Sequence, residues 1–149
     1  IEGELGRFGE ELGEGEGKAV LADPDEAERF CRETRVDLLA PAVGNAHGQY
    51  RSKPNLRFDL IEQIARRTNV PLSLHGGTGI PLADVRKAAG LGIRKLNIAS
   101  QLHRDFSDAL KAAAAAERFH WRRATDAGRS AIGATVEGYI RELGVEGIA

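Results

Sequence analysis

Apolar runs of strand length alternate with amphipathic helical patterns along this chain of 149 residues. The run Val36–Val43 (VDLLAPAV) is almost continuously apolar, which is typical of a strand buried on both faces of a parallel sheet. Strands that alternate with helices predict a parallel sheet with helical crossovers, and therefore an α/β fold. The predicted strands lie at 1–6, 36–43, 70–74 and 93–98, and the predicted helices at 24–35, 58–65, 81–89, 100–119 and 135–143.

Four predicted strands are half the number in a TIM (β/α)8 barrel, which usually needs about 250 residues. The pattern therefore fits either a small open α/β sheet or part of such a barrel, and we expect one domain over residues 1–149. The chain contains no methionine, so we do not expect Ile1 to be a biological start. A lone half-barrel would expose its sheet edges, and we therefore expect a homo-oligomer or a complementary chain.

Charge and composition exclude several classes of function. The formal net charge is −1 and basic residues are not clustered with aromatics, so we expect no nucleic-acid partner. No apolar run approaches the roughly 18 residues of a membrane span, and we expect neither a membrane partner nor a secretory leader. The single cysteine, Cys31, cannot form an internal disulfide and fits a reducing, cytoplasmic location, as an unreactive thiol on a helix.

Polar residues occur at the carboxyl ends of all four predicted strands, where parallel α/β folds place their ligands. Two of these ends carry a histidine followed directly by glycine, His47 and His75. Two imidazoles that converge on one point are a suitable donor set for Zn²⁺, although each could instead bond a neighbouring carbonyl and only close a turn. The four strand-end segments are Glu4, GNAHG (44–48), HGGTG (75–79) and NIAS (97–100).

The glycine-rich segment 76–79 leads into a predicted helix at Pro81. Free backbone N–H groups, the Thr78 hydroxyl and a positive helix end are the ingredients of an anion site. In barrels, phosphate sites often form from the loops after the last two strands. If the visible strands are the last four of eight, those loops hold the glycine-rich segment and Ser100.

At these residues the sequence resembles the carboxyl-terminal half of the class II, metal-dependent ketose-bisphosphate aldolases, which act on fructose or tagatose bisphosphate. The resemblance covers residues 1 to about 102, in several motifs that occur in the right order. It implies the C-terminal half of a TIM barrel. The motifs are EGELGR, LADPDEAERF, VGNAHGQY, FDLIEQIARRTNVPLSLHGGTGIP and IRKLNIAS.

The resemblance also implies an activity, a cofactor and roles for individual residues. The implied reaction is reversible, zinc-dependent aldol cleavage of a ketose 1,6-bisphosphate to dihydroxyacetone phosphate and glyceraldehyde 3-phosphate. The metal would polarise the ketone oxygen, so that no Schiff-base lysine is required. A second divalent or a monovalent cation could accompany the zinc. The implied metal ligands are His47, His75 and Glu4. The implied proton donor or acceptor is Glu10 or Glu11, in an acidic, glycine-rich loop at 8–18 that we expect to be mobile. The implied substrate- and phosphate-binding residues are Gly48, Gly76, Thr78, Asn97 and Ser100.

Two departures from the family pattern leave an alternative open. The family motif that corresponds to NIAS (97–100) usually has Asp or Asn at its third position, where this sequence has Ala99. The adjacent Asp-His pair of the family's front half is absent from the sequence. The alternative is a non-catalytic half-barrel that binds a phosphosugar or serves in assembly. An unrelated barrel enzyme with a phosphorylated substrate is a third hypothesis. The choice between fructose and tagatose bisphosphate stays open.

Overall fold

A computed structural model of the chain describes residues 1–10, 19–48, 50, 54–116 and 118–144. The fold divides into two compact units, Ile1–Ile98 and Ala99–Ala149, which are described separately below. A single domain over residues 1–149 stays a prediction. Among the described residues, no helix combines the length and the apolar character that crossing a membrane requires.

The first unit is built on a four-stranded parallel sheet with the order β1-β3-β5-β6. These strands occupy the four places that the sequence pattern predicts. Within this unit, one helix follows each of the first three strands of the sheet along the chain. The described elements of this unit are β1 (Glu2–Leu5), β2 (Gly9–Glu10), α1 (Pro24–Thr34), β3 (Leu38–Pro41), β4 (Ala46–His47), α2 (Phe58–Thr68), β5 (Leu72–Leu74), α3 (Leu82–Gly90) and β6 (Ile93–Leu96).

One face of this sheet is apolar and packs against helices. Gly3, Leu39 and Leu72 are linked by the register of β1, β3 and β5, so they point to the same side. A Cβ atom at Gly3 would lie 2.7 Å from the Phe30 ring of α1, so the helix approaches the sheet closely on this side. Leu39 and Leu72 are fully buried there and belong to the core of the unit.

The opposite face of the sheet carries polar side chains. Successive residues of a strand point to opposite faces, so Glu2 and Glu4 of β1 lie on this side, as do Ser73 and, beyond the end of β5, His75. The sequence EGEL has the alternation that a half-polar strand requires. We call this side of the sheet the polar face.

Local sequence explains how α1 begins and which residue it buries. Asp23 caps α1, and its carboxylate accepts hydrogen bonds from the backbone N–H groups of Asp25 and Glu26 at 2.9 Å each. Pro24 occupies the first turn, where its missing N–H is not needed. Cys31 is buried in the same helix, and burial raises the pKa of its thiol, as expected for an unreactive cysteine.

The second unit consists of two helices that pack against each other, α4 (Ser100–Ala114) and α5 (Trp121–Leu143). The prediction for α4 was five residues too long, because the chain turns at Ala115 before folding back into α5. The prediction for α5 missed its first half, which contains glycines that lower helix propensity. Gly128 lies where a Cβ would come within 2.5 Å of the Phe106 ring, so the glycine permits close helix packing.

Candidate metal centre

Glu4, His47 and His75 converge at the carboxyl ends of the strands. Each offers one ligand atom, and these three atoms all lie within 4.8 Å of one another. Glu4 lies on β1 and His75 directly after β5, while His47 lies on β4, which pairs in parallel with β2 in a short ladder that the sequence pattern did not indicate. The structure therefore brings together the three residues that the sequence singles out as metal ligands.

The two nitrogens of the His75 ring face different carboxylates. Nε2 lies 2.6 Å from Glu2 Oε1, a hydrogen-bonding distance, whereas Nδ1 lies 4.0 Å from Glu4 Oε1. A ring whose Nε2–H donates to a carboxylate has a free lone pair on Nδ1, on the side where Glu4 lies.

This donor set fits a metal ion. Two imidazoles and one carboxylate are ligands that catalytic zinc sites use, with a fourth position left for substrate or water. Ligand atoms around a tetrahedral Zn²⁺ lie roughly 3.4 Å apart, given bonds of about 2.0–2.1 Å. The distances between the donor atoms of Glu4, His47 and His75 would therefore need to shorten only slightly, through side-chain rotation, to hold an ion.

Phe8 packs against both histidines, a contact that sequence reasoning missed. Its ring centroid lies 4.9 Å from that of His47 and 5.7 Å from that of His75, and the two imidazoles are stacked at 5.8 Å. Phe8 is only 8% exposed. Its ring limits the rotation of both imidazoles on one side.

Glu2 is a second feature that the sequence interpretation overlooked. Its Oε1 contacts His75 and its Oε2 accepts a hydrogen bond from Lys95 Nζ at 2.6 Å. The bond from Lys95, with the smaller effect of His75, holds the pKa of the Glu2 carboxyl below its ordinary value. The alternation in EGEL, which places Glu2 on the same face as Glu4, is the signal that could have identified it.

Two side chains tie the histidine-bearing loops to each other. The buried Asn45 side chain donates from Nδ2 to the His75 carbonyl and accepts at Oδ1 from the Val43 N–H, both at 2.9 Å. The Tyr50 hydroxyl accepts from the Ala46 N–H at 2.8 Å and donates to the Gly76 carbonyl at 3.0 Å. These bonds fix the backbone on both sides of the candidate site.

The residues expected to bind substrate or phosphate are distributed over both units. Gly76 and Gly48 have positive φ angles of 62° and 91°, and the N–H of Gly77 donates to the Asn97 carbonyl at 2.9 Å. Thr78 is buried. Gly48, Gly76, Thr78 and Asn97 therefore lie in segments that follow strand ends of the first unit, whereas Ser100 opens α4 of the second unit.

The other expected residues have simpler positions. Glu10 lies on β2, and Glu11 lies outside the described residues, together with most of the acidic loop predicted at 8–18. His103 is exposed on α4 and His120 is exposed before α5, so neither lies among the three grouped donors.

The sheet and its strand-end donor set define an α/β barrel-type protein with a candidate metal centre at the carboxyl ends of its strands. Comparison with protein families makes the assignment specific. The sequence matches "Fructose-bisphosphate aldolase class-II" over residues 1–148. The chain therefore belongs to the class II fructose-bisphosphate aldolase family, as the motifs indicated.

Individual relatives agree with this assignment. The chain is 40% identical over 152 residues to the fructose-bisphosphate aldolase of Geobacillus stearothermophilus, covering 100% of this chain and 53% of the relative. It is 41% identical over 114 residues to the D-tagatose-1,6-bisphosphate aldolase subunit GatY of Klebsiella oxytoca, covering 74% and 40%. The chain thus spans about half the length of the relatives it matches.

A solved structure extends the comparison to the fold. The crystal structure of a putative fructose-1,6-bisphosphate aldolase from Coccidioides immitis superimposes with a TM-score of 0.86 at 27% identity, over 98% of this chain and 52% of that chain. The fold is therefore about half of a TIM-barrel aldolase, with four parallel strands of the barrel and their helices.

Proposed function

We propose that this chain contributes a zinc-binding and substrate-binding half of a class II ketose-bisphosphate aldolase. The reaction would be reversible cleavage of a ketose 1,6-bisphosphate to dihydroxyacetone phosphate and glyceraldehyde 3-phosphate. The observation that carries the proposal is the convergence of Glu4, His47 and His75 within 4.8 Å at the strand ends. The remaining strands of the barrel would come from sequence or a chain beyond these 149 residues.

Each residue has a distinct part in this proposal. His47, His75 and Glu4 would hold Zn²⁺, which when bound acts as a Lewis acid that polarises a substrate carbonyl. Phe8 would keep water from one side of the two imidazoles, since its buried ring stacks on both. Glu10 or Glu11 would accept or return the proton that moves during cleavage.

The substrate phosphate would bind beside the metal. Gly48 and Gly76 lie in loops at the strand ends, and a Cβ at Gly48 would meet no atom of the described residues within 4 Å. Thr78 and Asn97 lie on the neighbouring loops. Ser100 belongs to this set only through the family resemblance. Backbone N–H groups and hydroxyls are common donors to phosphate oxygens.

A second candidate function is a non-catalytic half-barrel that binds a phosphosugar or serves in assembly. Ala99 favours it, because alanine offers neither a carboxylate nor an amide to a substrate. One relative is itself named as a subunit, which supports the expectation of an oligomer or a partner chain. Both functions predict phosphosugar binding, and only the first predicts carbon–carbon bond cleavage.

Metal content tests the first proposal. The intact protein should copurify with, or take up, one Zn²⁺ per chain, and His75→Ala and His47→Ala should each remove it. His103→Ala is the matched control, because His103 is exposed on α4 and lies outside the donor cluster. Zinc retained equally by all three variants would refute the metal site.

Substrate turnover separates the two functions. The intact protein is assayed for dihydroxyacetone phosphate release from fructose 1,6-bisphosphate and, in parallel, from tagatose 1,6-bisphosphate. Zinc-dependent release from either sugar supports the aldolase. Binding of both sugars without release, in a protein that holds zinc, would favour the non-catalytic half-barrel.

A further inference from the structure

We propose that Glu2, anchored by Lys95, is a positioning residue that fixes the ring orientation and tautomer of His75 for metal binding. This inference rests on the proposed metal site and adds two residues that do not themselves contact the ion. It concerns a pair of side chains from opposite edges of the sheet, since Glu2 lies on β1 and Lys95 on β6.

The first step is the geometry around Glu2. Both of its carboxylate oxygens are used, Oε1 by His75 Nε2 and Oε2 by Lys95 Nζ, each at 2.6 Å. The exposed fraction is 25% for the Glu2 side chain and 16% for the His75 side chain. A carboxylate held at both oxygens cannot rotate away from the imidazole.

The second step is the effect on His75. A carboxylate is an acceptor only, so the imidazole nitrogen that contacts it carries the hydrogen. Placing the hydrogen on Nε2 leaves the Nδ1 lone pair for the ion, on the side facing Glu4. A carboxylate on the outer nitrogen of a ligating histidine fixes the ring, and its loss typically costs about 10–100-fold in metal affinity or activity.

The third step explains how Lys95 reaches this face. The pairing of β5 with β6 shifts register between Leu72 and Ser73, so that Ser73 pairs with Lys95 rather than with Arg94. An irregularity of this kind re-aims the side chains that follow it. Without this shift, the side chains of β6 would alternate between the two faces starting from Ile93, which pairs with Leu72 on the apolar face. Lys95 would then lie on the apolar face and point to the helices. The shift instead turns it to the polar face, where it meets Glu2.

The experiment measures Zn²⁺ affinity of the intact protein by competition with a chelator of known affinity. Glu2→Ala should weaken binding about 10–100-fold. Lys95→Met, which keeps an unbranched stem but removes the charge, should weaken it less, and Lys95→Arg, which keeps a positive charge beside Glu2, should weaken it least. Glu62→Ala is the control, since Glu62 forms a comparable 2.6 Å ion pair with Arg66 on the surface of α2.

A second readout reports the tautomer directly. In ¹⁵N NMR spectra of the zinc-loaded protein, His75 should bind through Nδ1 and carry a hydrogen on Nε2. In the Glu2→Ala variant, the hydrogen on Nε2 should exchange faster with solvent. If the melting temperature of the variant equals that of wild type, a solely structural role for Glu2 would not produce this faster exchange.

The outcomes separate this inference from the proposed function. If wild type binds zinc and His75→Ala does not, but Glu2→Ala matches Glu62→Ala, then the metal site stands and the positioning role is refuted. Coordination of His75 through Nε2 would refute it equally. If His75→Ala binds zinc as tightly as wild type, the proposed function itself fails.

Discussion

The Asn45 side chain spans the loops that carry both histidines, because it donates from Nδ2 to the His75 carbonyl at 2.9 Å while its Oδ1 accepts from Val43. Asn45 is 2% exposed. Because Asn45 is buried, each of these bonds is costly to lose, since a buried partner left unpaired carries its full desolvation penalty. A neutral amide can make both contacts, whereas a carboxylate can make only the one to Val43.

We therefore expect Asn45→Ala to lower the free energy of unfolding by about 2–4 kcal/mol and to weaken zinc binding, because two buried backbone groups lose their partner. Asn45→Asp keeps the bond from the Val43 N–H. Compared with Asn45→Ala, it should cause a smaller loss of stability if the new carboxyl is protonated and a larger loss if it is ionised. Urea denaturation of the metal-free protein measures both. A change below about 0.5 kcal/mol in Asn45→Ala would contradict the assigned role.

Tyr50→Phe tests the second tie between the loops. The variant keeps the ring but removes the hydroxyl that links Ala46 to Gly76. We expect a loss of about 1–3 kcal/mol in unfolding free energy and a higher KM for the ketose bisphosphate, because the positions of both loops relax. Tyr139→Phe, in the second unit, is a control of the same chemistry at a residue outside both loops. Equal KM values for the two variants would show that the Tyr50 hydroxyl does not position the loops.

Two glycines at the site should differ sharply in their tolerance of alanine. A Cβ at Gly76 would lie 1.8 Å from the Ala46 carbonyl oxygen, which only a backbone shift can relieve. A Cβ at Gly48 would meet no atom of the described part of the chain within 4 Å, so we expect Gly48→Ala to carry the cost of a positive φ, about 1 kcal/mol. We expect Gly76→Ala to destabilise the protein severely or prevent folding. Comparable melting temperatures for the two variants would contradict the close approach of the loops.

Ser73→Ala is expected to leave stability unchanged or to raise it by about 1 kcal/mol. Ser73 is fully buried on β5, and its Oγ is the buried side-chain polar atom that lacks a hydrogen-bond partner among the described residues. Removing an unpaired hydroxyl removes its desolvation cost and leaves only a small void. A stability loss above about 1.5 kcal/mol would show that this hydroxyl has a partner.

The carboxyl of Glu2 should make the stability of the metal-free protein depend on pH. Its pKa is lowered in the folded state, mainly by Lys95, so the unfolded chain takes up the proton more readily. The contribution is therefore complete above the ordinary glutamate pKa of about 4.5 and is lost as the pH falls through the lower, folded value. Glu2→Gln should flatten this part of the curve of unfolding free energy against pH. Parallel curves for Glu2→Gln and wild type would contradict the assignment.

Much of the first unit could be predicted from sequence, because its signals are local. Apolar runs identified three strands of the main sheet, while the first, at 1–6, carries acidic residues and gives only a weak strand pattern. The general rule that ligands lie at carboxyl strand ends then brought Glu4, His47 and His75 to one place. The cap at Asp23 follows from an equally local pattern, since Pro24 comes directly after it and Glu26 lies three residues beyond it.

What the sequence could not provide depends on contacts between distant residues. The register shift that turns Lys95 to the polar face is set by how β6 packs on β5, and no property of IRKL indicates it. The first half of α5 was missed because Gly128 lowers helix propensity, while its packing on Phe106 more than compensates. The β2–β4 ladder has only two residues per strand, too few for a periodicity to be seen.

The Glu2–Lys95 bridge also has a consequence for the order in which the protein folds. The two residues are 93 positions apart in the chain, and a loop of that length makes their contact one of the last to become favourable. During synthesis β1 leaves the ribosome long before β6 does, so Glu2 can pair with Lys95 only after β6 has been synthesised. A metal ion would therefore meet an organised His75 only after the sheet is complete, and would stabilise a finished structure instead of nucleating one.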